Sequence, residues 1–83
     1  MPVPVPGTLV IYTRRDCSLC ETMAAGVRAA LGPSAPVAMV EIDDDAALLQ
    51  RFGADVPVLC LDDEVVCKHF LDPDRLRAAL QSS

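Results

Sequence analysis

The sequence predicts a three-layer α/β domain in which helices cover a four-stranded mixed sheet, with the element order β-α-β-α-β-β-α. Short β-rich apolar runs alternate with segments of helical periodicity, which is the pattern of a sheet covered by helices. The first two strands flank a helix and should be parallel, whereas the last two follow each other directly and should form a hairpin. With 83 residues and 52% hydrophobic composition, the chain is predicted to be compact and is too short for a second domain. We therefore expect one domain over 1–83, with an extended leader at 1–7 and a tail at 82–83.

The first half of the chain has the pattern of a parallel β-α-β unit. Residues 8–12 are a continuous β-rich run, as expected for a strand buried on both faces. Apolar residues from 19 to 31 then recur at helical spacing, and Gly32-Pro33 is a typical helix-stopping dipeptide. The second strand is predicted at 37–42. Because a helix separates the two strands, they should lie side by side and be joined by a right-handed crossover.

An acidic triplet, Asp43-Asp44-Asp45, precedes a short apolar segment at 46–52. Carboxylates are favoured at helix N-termini, where they accept hydrogen bonds from free backbone N–H groups. The triplet therefore predicts a cap for a second helix, which Gly53 can end. Three consecutive carboxylates rarely converge on one ion without other ligands, so we do not interpret them as a metal site.

The second half of the chain continues with a predicted hairpin and a last helix. Two β-rich runs at 56–61 and 64–70 are separated by an acidic pair, which indicates two antiparallel strands joined by a short turn. Asp72 followed by Pro73 is typical of a helix N-terminus. The apolar stripe that ends at Leu80 then predicts the last helix.

The charge and the start of the chain exclude several classes of partner. Twelve Asp and Glu residues against seven Lys and Arg give a formal net charge of −5, which repels the phosphates of nucleic acids and anionic membranes. The first residues lack the basic segment and the apolar stretch of a signal peptide or membrane span. We therefore expect a cytoplasmic protein. In that compartment close cysteine pairs are more often catalytic or metal-binding than structural.

The segment Cys17-Ser18-Leu19-Cys20 lies where the first strand gives way to the first helix. Only a thiolate attacks a disulfide, and a free cysteine with a pKa of about 8.5 is mostly protonated at neutral pH. Unpaired backbone N–H groups at the helix start can stabilise the anion of Cys17, and Arg14 or Arg15 can add positive charge. Cys20 lies one helical turn later and should be more shielded. Paired cysteines at this spacing also hold zinc when a second pair lies nearby, so the motif alone leaves redox chemistry and metal binding open.

Together with Val56-Pro57 before the third strand, this motif and the order of elements resemble the thioredoxin fold in its minimal, glutaredoxin-like form. The resemblance spans about residues 8–80. Within the superfamily the chain is most similar to small bacterial glutaredoxin-like proteins, with which it shares the segments 12–20, 41–43 and 56–59. This resemblance implies a thiol-disulfide oxidoreductase in which Cys17 is the nucleophile and Cys20 resolves the mixed disulfide.

The resemblance also implies a substrate-binding surface beside the cysteine pair. Arg14 matches a position that is typically basic in glutaredoxins. Pro57 matches a proline that is preceded by a cis peptide bond in thioredoxin-like proteins, and this leaves the Val56 backbone free to pair with an extended substrate chain. Asp55 stands where glutaredoxins usually have threonine, and its carboxylate is expected to repel acidic ligands or to raise the thiol pKa.

The same resemblance implies the partners. We expect a disulfide-containing protein or a small-thiol substrate, an electron donor that is either glutathione or a reductase, and no tightly bound cofactor. Glutaredoxins follow the hairpin with a Gly-Gly that receives glutathione, whereas Cys67-Lys68-His69-Phe70 fills that stretch here. Side chains at those positions would obstruct the tripeptide, so no residue is assigned to glutathione. The protein is expected to be a monomer.

Two other classes of protein remain open. One is a non-catalytic module that uses the Pro57 groove to hold a peptide, and the other is a domain that binds zinc or an iron-sulfur cluster through its cysteines. If residues 62–63 form a two-residue turn, Cys60 and Cys67 lie diagonally on one face of the sheet, where they are either apolar fillers or a second redox pair. His69, the only histidine, has no evident partner and is expected at the surface.

Overall fold

The computed structural model describes residues 9–33, 35–62 and 64–82. Its elements follow the predicted order: β1 at Leu9–Thr13, α1 at Ser18–Leu31, β2 at Val37–Glu41, α2 at Ala46–Phe52, β3 at Val58–Leu61, β4 at Glu64–Lys68 and α3 at Pro73–Ser82. The predicted leader at 1–7 lies outside the described residues. Within those residues, no helix is both long enough and apolar enough to cross a membrane.

The four strands form one mixed sheet in the order β2-β1-β3-β4. β1 is parallel to β2, as the helix between them predicts, and antiparallel to β3. β3 and β4 form the predicted hairpin, and β4 lies at an edge of the sheet. The α/β fold with a four-stranded mixed sheet is therefore confirmed.

The register of the strands gathers four loops at one end of the sheet. Thr13 at the end of β1 pairs with Glu41 at the end of β2. Val58 at the start of β3 pairs with Tyr12 on one side and with Lys68, the last residue of β4, on the other. The loops that follow β1, β2 and β4 and the loop that precedes β3 therefore lie together. All residues predicted to form the site lie in these loops or next to them.

Apolar side chains form separate cores on the two faces of the sheet. On one face, α1 and α3 pack against the strands, and Met23 and Val27 of α1 and Leu76 of α3 are each at most 1% exposed. On the other face, Phe52 of α2 packs on the sheet, and its ring stacks on that of Tyr12 with 4.7 Å between the centroids. Helices on both faces produce the three layers that the sequence predicts.

The prediction that Cys60 and Cys67 share a face of the sheet is wrong. Cys60 pairs with Val65, as expected from a two-residue turn, but Cys67 pairs with Leu59. A β-bulge sets the three residues from Val65 to Cys67 against Leu59 and Cys60, and the extra residue reverses the alternation of side chains. Cys67 packs under α1 and α3, whereas Cys60 packs on the α2 side. The sheet lies between the two thiols, so they cannot be joined without moving the backbone.

The acidic triplet after β2 divides between two tasks. Asp45 caps α2 as predicted, because its Oδ1 accepts a hydrogen bond from the Leu48 N–H at 3.0 Å. Asp43 and Asp44 were expected to contribute to the same cap, but they bond to the loop after β1 instead. That loop offers two arginine side chains and a backbone N–H. Charge-assisted hydrogen bonds to these groups are stronger than the attraction of a carboxylate to a helix end that Asp45 already caps.

Candidate functional site

Cys17 and Cys20 form a disulfide at the N-terminus of α1, with their Cα atoms 5.3 Å apart. Cys17 is the N-cap of the helix and has an extended backbone, with φ −101° and ψ 100°. Its side chain is partly exposed, whereas Cys20, inside the first turn, is 1% exposed. The two cysteines therefore differ in exposure: Cys17 is in part at the surface, and Cys20 is shielded by the fold.

The start of α1 places positive potential on the Cys17 sulfur. The Cys20 backbone N–H donates a hydrogen bond to Cys17 Sγ, with 3.2 Å between nitrogen and sulfur. N–H groups in the first turn have no acceptor within the helix, and the aligned peptide dipoles add to the potential at this end. After reduction of the disulfide, the same groups would stabilise a Cys17 thiolate relative to the thiol.

Asp43 ties the loop between β1 and α1 to the loop after β2. Its carboxylate accepts hydrogen bonds from the Arg15 backbone N–H at 2.9 Å and from Arg14 Nε at 3.3 Å. The Arg15 guanidinium also lies 3.0 Å from the Asp44 carboxylate. The bond from the Arg15 N–H, together with the Arg14 guanidinium, holds the pKa of Asp43 below its ordinary value. This network fixes the residues that lead into Cys17.

We expect the Asp43→Asn variant to lose stability at neutral pH and to respond less to acid than the wild type. A carboxylate whose pKa is lowered by folding stabilises the protein above its unfolded-state pKa of about 3.9. This contribution disappears as the pH falls through the lower pKa of the folded state. The amide keeps the shape of the side chain but not its charge. Melting temperatures of the two proteins should therefore differ most at neutral pH and converge in strong acid.

Asp44→Asn is the matched control for this acid titration. The Asp44 carboxylate is 89% exposed, and ion pairs of such groups contribute little to stability. Its melting temperature should follow that of the wild type at every pH. A difference between wild type and Asp43→Asn that stays constant with pH would show that the charge of Asp43 is not what stabilises the loop.

A cleft of about 570 Å³ opens beside the disulfide, between the start of α1 and the end of β2. Both arginines in its wall, Arg14 and Arg15, are paired with carboxylates of the acidic triplet. Three further carboxylates line the cleft and have no ion pair within the described residues: Asp16, Glu21 and Glu41. The cleft is therefore negatively charged on balance. The Asp43 carboxylate offsets the charge of Arg14. The helix start is therefore the main source of positive potential at Cys17.

The Val56–Pro57 peptide bond is cis, and Pro57 is fully buried. Because Tyr12 pairs with Val58, this segment lies beside the end of β1, from which the chain continues to the cysteine pair. The backbone N–H and carbonyl of Val56 have no hydrogen-bond partner in the part of the chain that the structure describes. The five predicted site residues thus lie at one end of the sheet: Arg14, Cys17, Cys20, Val56 and Pro57.

Three polar side chains at this end were not among the predicted site residues: Asp55, Lys68 and His69. Lys68 Nζ lies 3.1 Å from Asp55 Oδ2, and His69 Nε2 lies 3.9 Å from Asp55 Oδ1. His69 also donates its backbone N–H to the Pro57 carbonyl at 2.8 Å. His69 is exposed, as expected from the sequence, but its backbone and ring both contact this segment. Lys68 balances the charge of Asp55. The sequence signal for Asp55 was its position next to Val56. The signal for Lys68 and His69 was the hairpin register, which brings the end of β4 to the start of β3.

The model of the glutaredoxin-like domain (DUF836) matches residues 8–81. The chain belongs to this family. The protein Ne2328 from Nitrosomonas europaea, solved by NMR, is 35% identical to this glutaredoxin-like chain, with a TM-score of 0.80 over 95% of this chain and 98% of that one. The X-ray structure of XcR50 from X. campestris is 37% identical, with a TM-score of 0.70 over 92% and 99% of the two chains. No curated protein matches the chain.

Membership of the glutaredoxin-like family and a Cys17–Cys20 pair at disulfide distance fit a redox role for this site. The other two cysteines of this glutaredoxin-like domain, Cys60 and Cys67, are buried and form no disulfide within the described residues. Burial raises the pKa of Cys67, which keeps that thiol protonated and unreactive. Within the described ranges, no group of three or more His, Cys, Asp or Glu side chains is placed to hold a metal ion.

Proposed function

We propose that this chain is a thiol-disulfide oxidoreductase that works by a dithiol mechanism. The observation that carries the proposal is the difference between the two sulfurs of the pair. Cys17 is partly exposed and its Sγ accepts a hydrogen bond from the first turn of α1, whereas Cys20 is 1% exposed. A helix start favours the anionic form of a sulfur, and exposure permits attack. Cys17 is therefore the nucleophile, and Cys20 is the resolving cysteine.

In the reduced protein, the Cys17 thiolate attacks one sulfur of a substrate disulfide. A mixed disulfide forms between Cys17 and the substrate, and the other substrate sulfur leaves as a thiolate that takes up a proton. The Cys20 thiol then loses its proton and attacks Cys17 Sγ, which releases the second substrate sulfur and forms the Cys17–Cys20 disulfide. The substrate gains two electrons and two protons. The protein loses the two electrons and the Cys20 proton, and the solvent supplies the second proton, because Cys17 starts as a thiolate.

The loop before β3 supports an extended substrate chain beside the cysteine pair. The unpaired N–H and carbonyl of Val56 can form the two hydrogen bonds of a short strand addition, next to Pro57. Arg14 lies in the wall of the neighbouring cleft, and its side chain is 47% exposed. It retains donors that Asp43 does not use, and these can contact a polar group of the substrate.

The proposed substrate is a disulfide-containing protein or a small disulfide, and the electron donor is glutathione or a reductase. No tightly bound cofactor is needed, because the two thiols carry the electrons themselves. Cys60 and Cys67 lie on opposite faces of the sheet and remain thiols, which suits a reducing compartment such as the cytoplasm. A monomer suffices for the reaction, because one chain supplies both cysteines and the segment that pairs with substrate.

Two measurements test the proposal. The reduced protein should show more ultraviolet thiolate absorbance at neutral pH than free cysteine does, and it should catalyse the reduction of insulin disulfides. Comparing turnover with glutathione and its reductase against turnover with thioredoxin reductase will identify the electron donor. A thiolate signal no larger than that of free cysteine, with no turnover from either donor, would refute the oxidoreductase. Peptide binding without turnover would instead indicate a non-catalytic module.

A further inference from the structure

Asp55, Lys68 and His69 surround the segment that is proposed to pair with substrate. Asp55 directly precedes Val56-Pro57 in the chain, whereas Lys68 and His69 approach it from the end of β4. The carboxylate of Asp55 contacts the Lys68 ammonium at 3.1 Å and faces His69 Nε2 at 3.9 Å. These contacts link the loop before β3 to the neighbouring strand without using the Val56 backbone.

Backbone hydrogen bonds hold the segment on both sides of Val56. The Asp55 N–H donates to the Phe52 carbonyl at 2.8 Å, and the Pro57 carbonyl accepts from the His69 N–H at 2.8 Å. His69 reaches this position with a left-handed backbone, φ 68°, which is uncommon for a residue other than glycine and persists where surrounding contacts hold it. Between these bonds, the N–H and carbonyl of Val56 remain without a partner in the described part of the chain.

The Asp55–Lys68 ion pair restricts a backbone rotation that the hydrogen bonds of the main chain leave free. The Val56 N–H belongs to the peptide plane that joins Asp55 to Val56, and this plane turns when the Asp55 backbone rotates. Attraction of the Asp55 carboxylate to Lys68 restricts that rotation, because moving the side chain away from β4 breaks the ion pair. Lys68 and Asp55 are 44% and 34% exposed, so the pair is accessible and its contribution to global stability is small.

We propose that Asp55, Lys68 and His69 form a clamp that positions the Val56 backbone for an extended peptide, and that this clamp sets the affinity for peptide disulfides. The inference rests on the proposed function and specifies its substrate class as a polypeptide bound through its main chain. Asp55 and Lys68 are positioning residues, since they act through Val56 and not on the reacting sulfurs. The clamp holds the loop in one conformation before the peptide binds. Less conformational entropy is then lost on binding.

The test compares Asp55→Asn, Lys68→Gln and the double variant with the wild type. The substrate is a short extended peptide whose single cysteine is bonded to a chromogenic thiol, and hydroxyethyl disulfide is the substrate without a peptide chain. We expect KM for the peptide to rise about three- to fivefold in each single variant, the most that one partly exposed ion pair supports. The double variant should show the same rise as the single ones, because either change already breaks the pair. KM for hydroxyethyl disulfide should rise less than KM for the peptide, and kcat for the peptide should change by less than about twofold.

Binding measured without turnover makes the outcomes separable. The Val56 amide resonance is followed during titration with the same peptide carrying serine in place of cysteine, and Kd should rise in step with KM. Arg77→Gln, which breaks the exposed Asp74–Arg77 pair on α3, is the matched control and should change neither quantity. Unchanged KM and Kd, additive effects in the double variant, or an equal rise for hydroxyethyl disulfide would overturn the clamp. A wild type that binds the peptide at Val56 but reduces neither substrate would overturn the proposed function alone, and Kd would still test the clamp.

Discussion

Replacing Cys17 with serine is expected to lower disulfide turnover by at least about a thousandfold, to the rate of uncatalysed exchange. A serine hydroxyl is not ionised at neutral pH and does not attack disulfide sulfur, so no mixed disulfide can form. The fold should survive the change. Cys17 is the N-cap of α1 and accepts the Cys20 N–H, and serine is among the preferred residues at that position. Because the variant cannot form the Cys17–Cys20 disulfide, the comparison is with the reduced wild type. Melting equal to that of the reduced wild type, with lost turnover, would assign the effect to chemistry.

Cys20→Ser separates the two roles within the pair. This variant keeps the Cys17 nucleophile but cannot resolve the first intermediate, so the mixed disulfide with substrate should accumulate and be visible as a mass increase of the intact protein. Cys67 is a buried residue of β4 that pairs with Leu59 of β3. Cys67→Ala removes its thiol and should retain turnover. An adduct on Cys20 in the Cys17→Ser protein would reverse the assignment of nucleophile and resolving cysteine.

The parts of the site that could be predicted depend on neighbours along the chain. A β-rich run, a polar loop and a helical stripe place Cys17 at a helix start, and the structure shows it as the N-cap of α1. The parallel pairing of β1 and β2 followed from the helix between them, because the crossover rule leaves one arrangement. Local propensity and handedness are both properties of short segments, so the sequence pattern reveals them.

The remaining parts depend on contacts between distant segments. The bulge at Leu59–Cys60 moves Cys67 to the opposite face, and nothing in the alternation of residues 64–68 indicates an extra residue, because Val65, Val66 and Cys67 are all apolar. Packing decides which of them points inward: Val66 and Cys67 are buried, whereas Val65 is 42% exposed. Asp43 likewise had a satisfactory local role as a cap, and only the tertiary fold brings the loop after β1 within its reach.

Leu76→Ala is expected to have the largest effect on stability. Leu76 of α3 is fully buried in the core that α1 and α3 share with the sheet. Truncation of a buried leucine removes apolar burial and leaves a cavity, at a cost of about 2–5 kcal/mol. Domains of this kind are stable by about 5–15 kcal/mol, and a chain of 83 residues should lie near the lower end of that range. The variant should therefore lose a large fraction of its free energy of unfolding.

Urea denaturation measures this loss, and Arg77→Ala is the control in the same helix. The Arg77 side chain is 67% exposed, so its removal should change the free energy of unfolding by less than about 0.5 kcal/mol. The core around Leu76 includes Met23 and Val27 of α1, so unfolding should disorder the helix start that activates Cys17. Turnover by Leu76→Ala should consequently follow its unfolding curve, while the folded fraction keeps the reactivity of the wild type. A cost below about 1 kcal/mol would mean that α3 contributes little to the core, and the helix could then be removed without loss of the redox site.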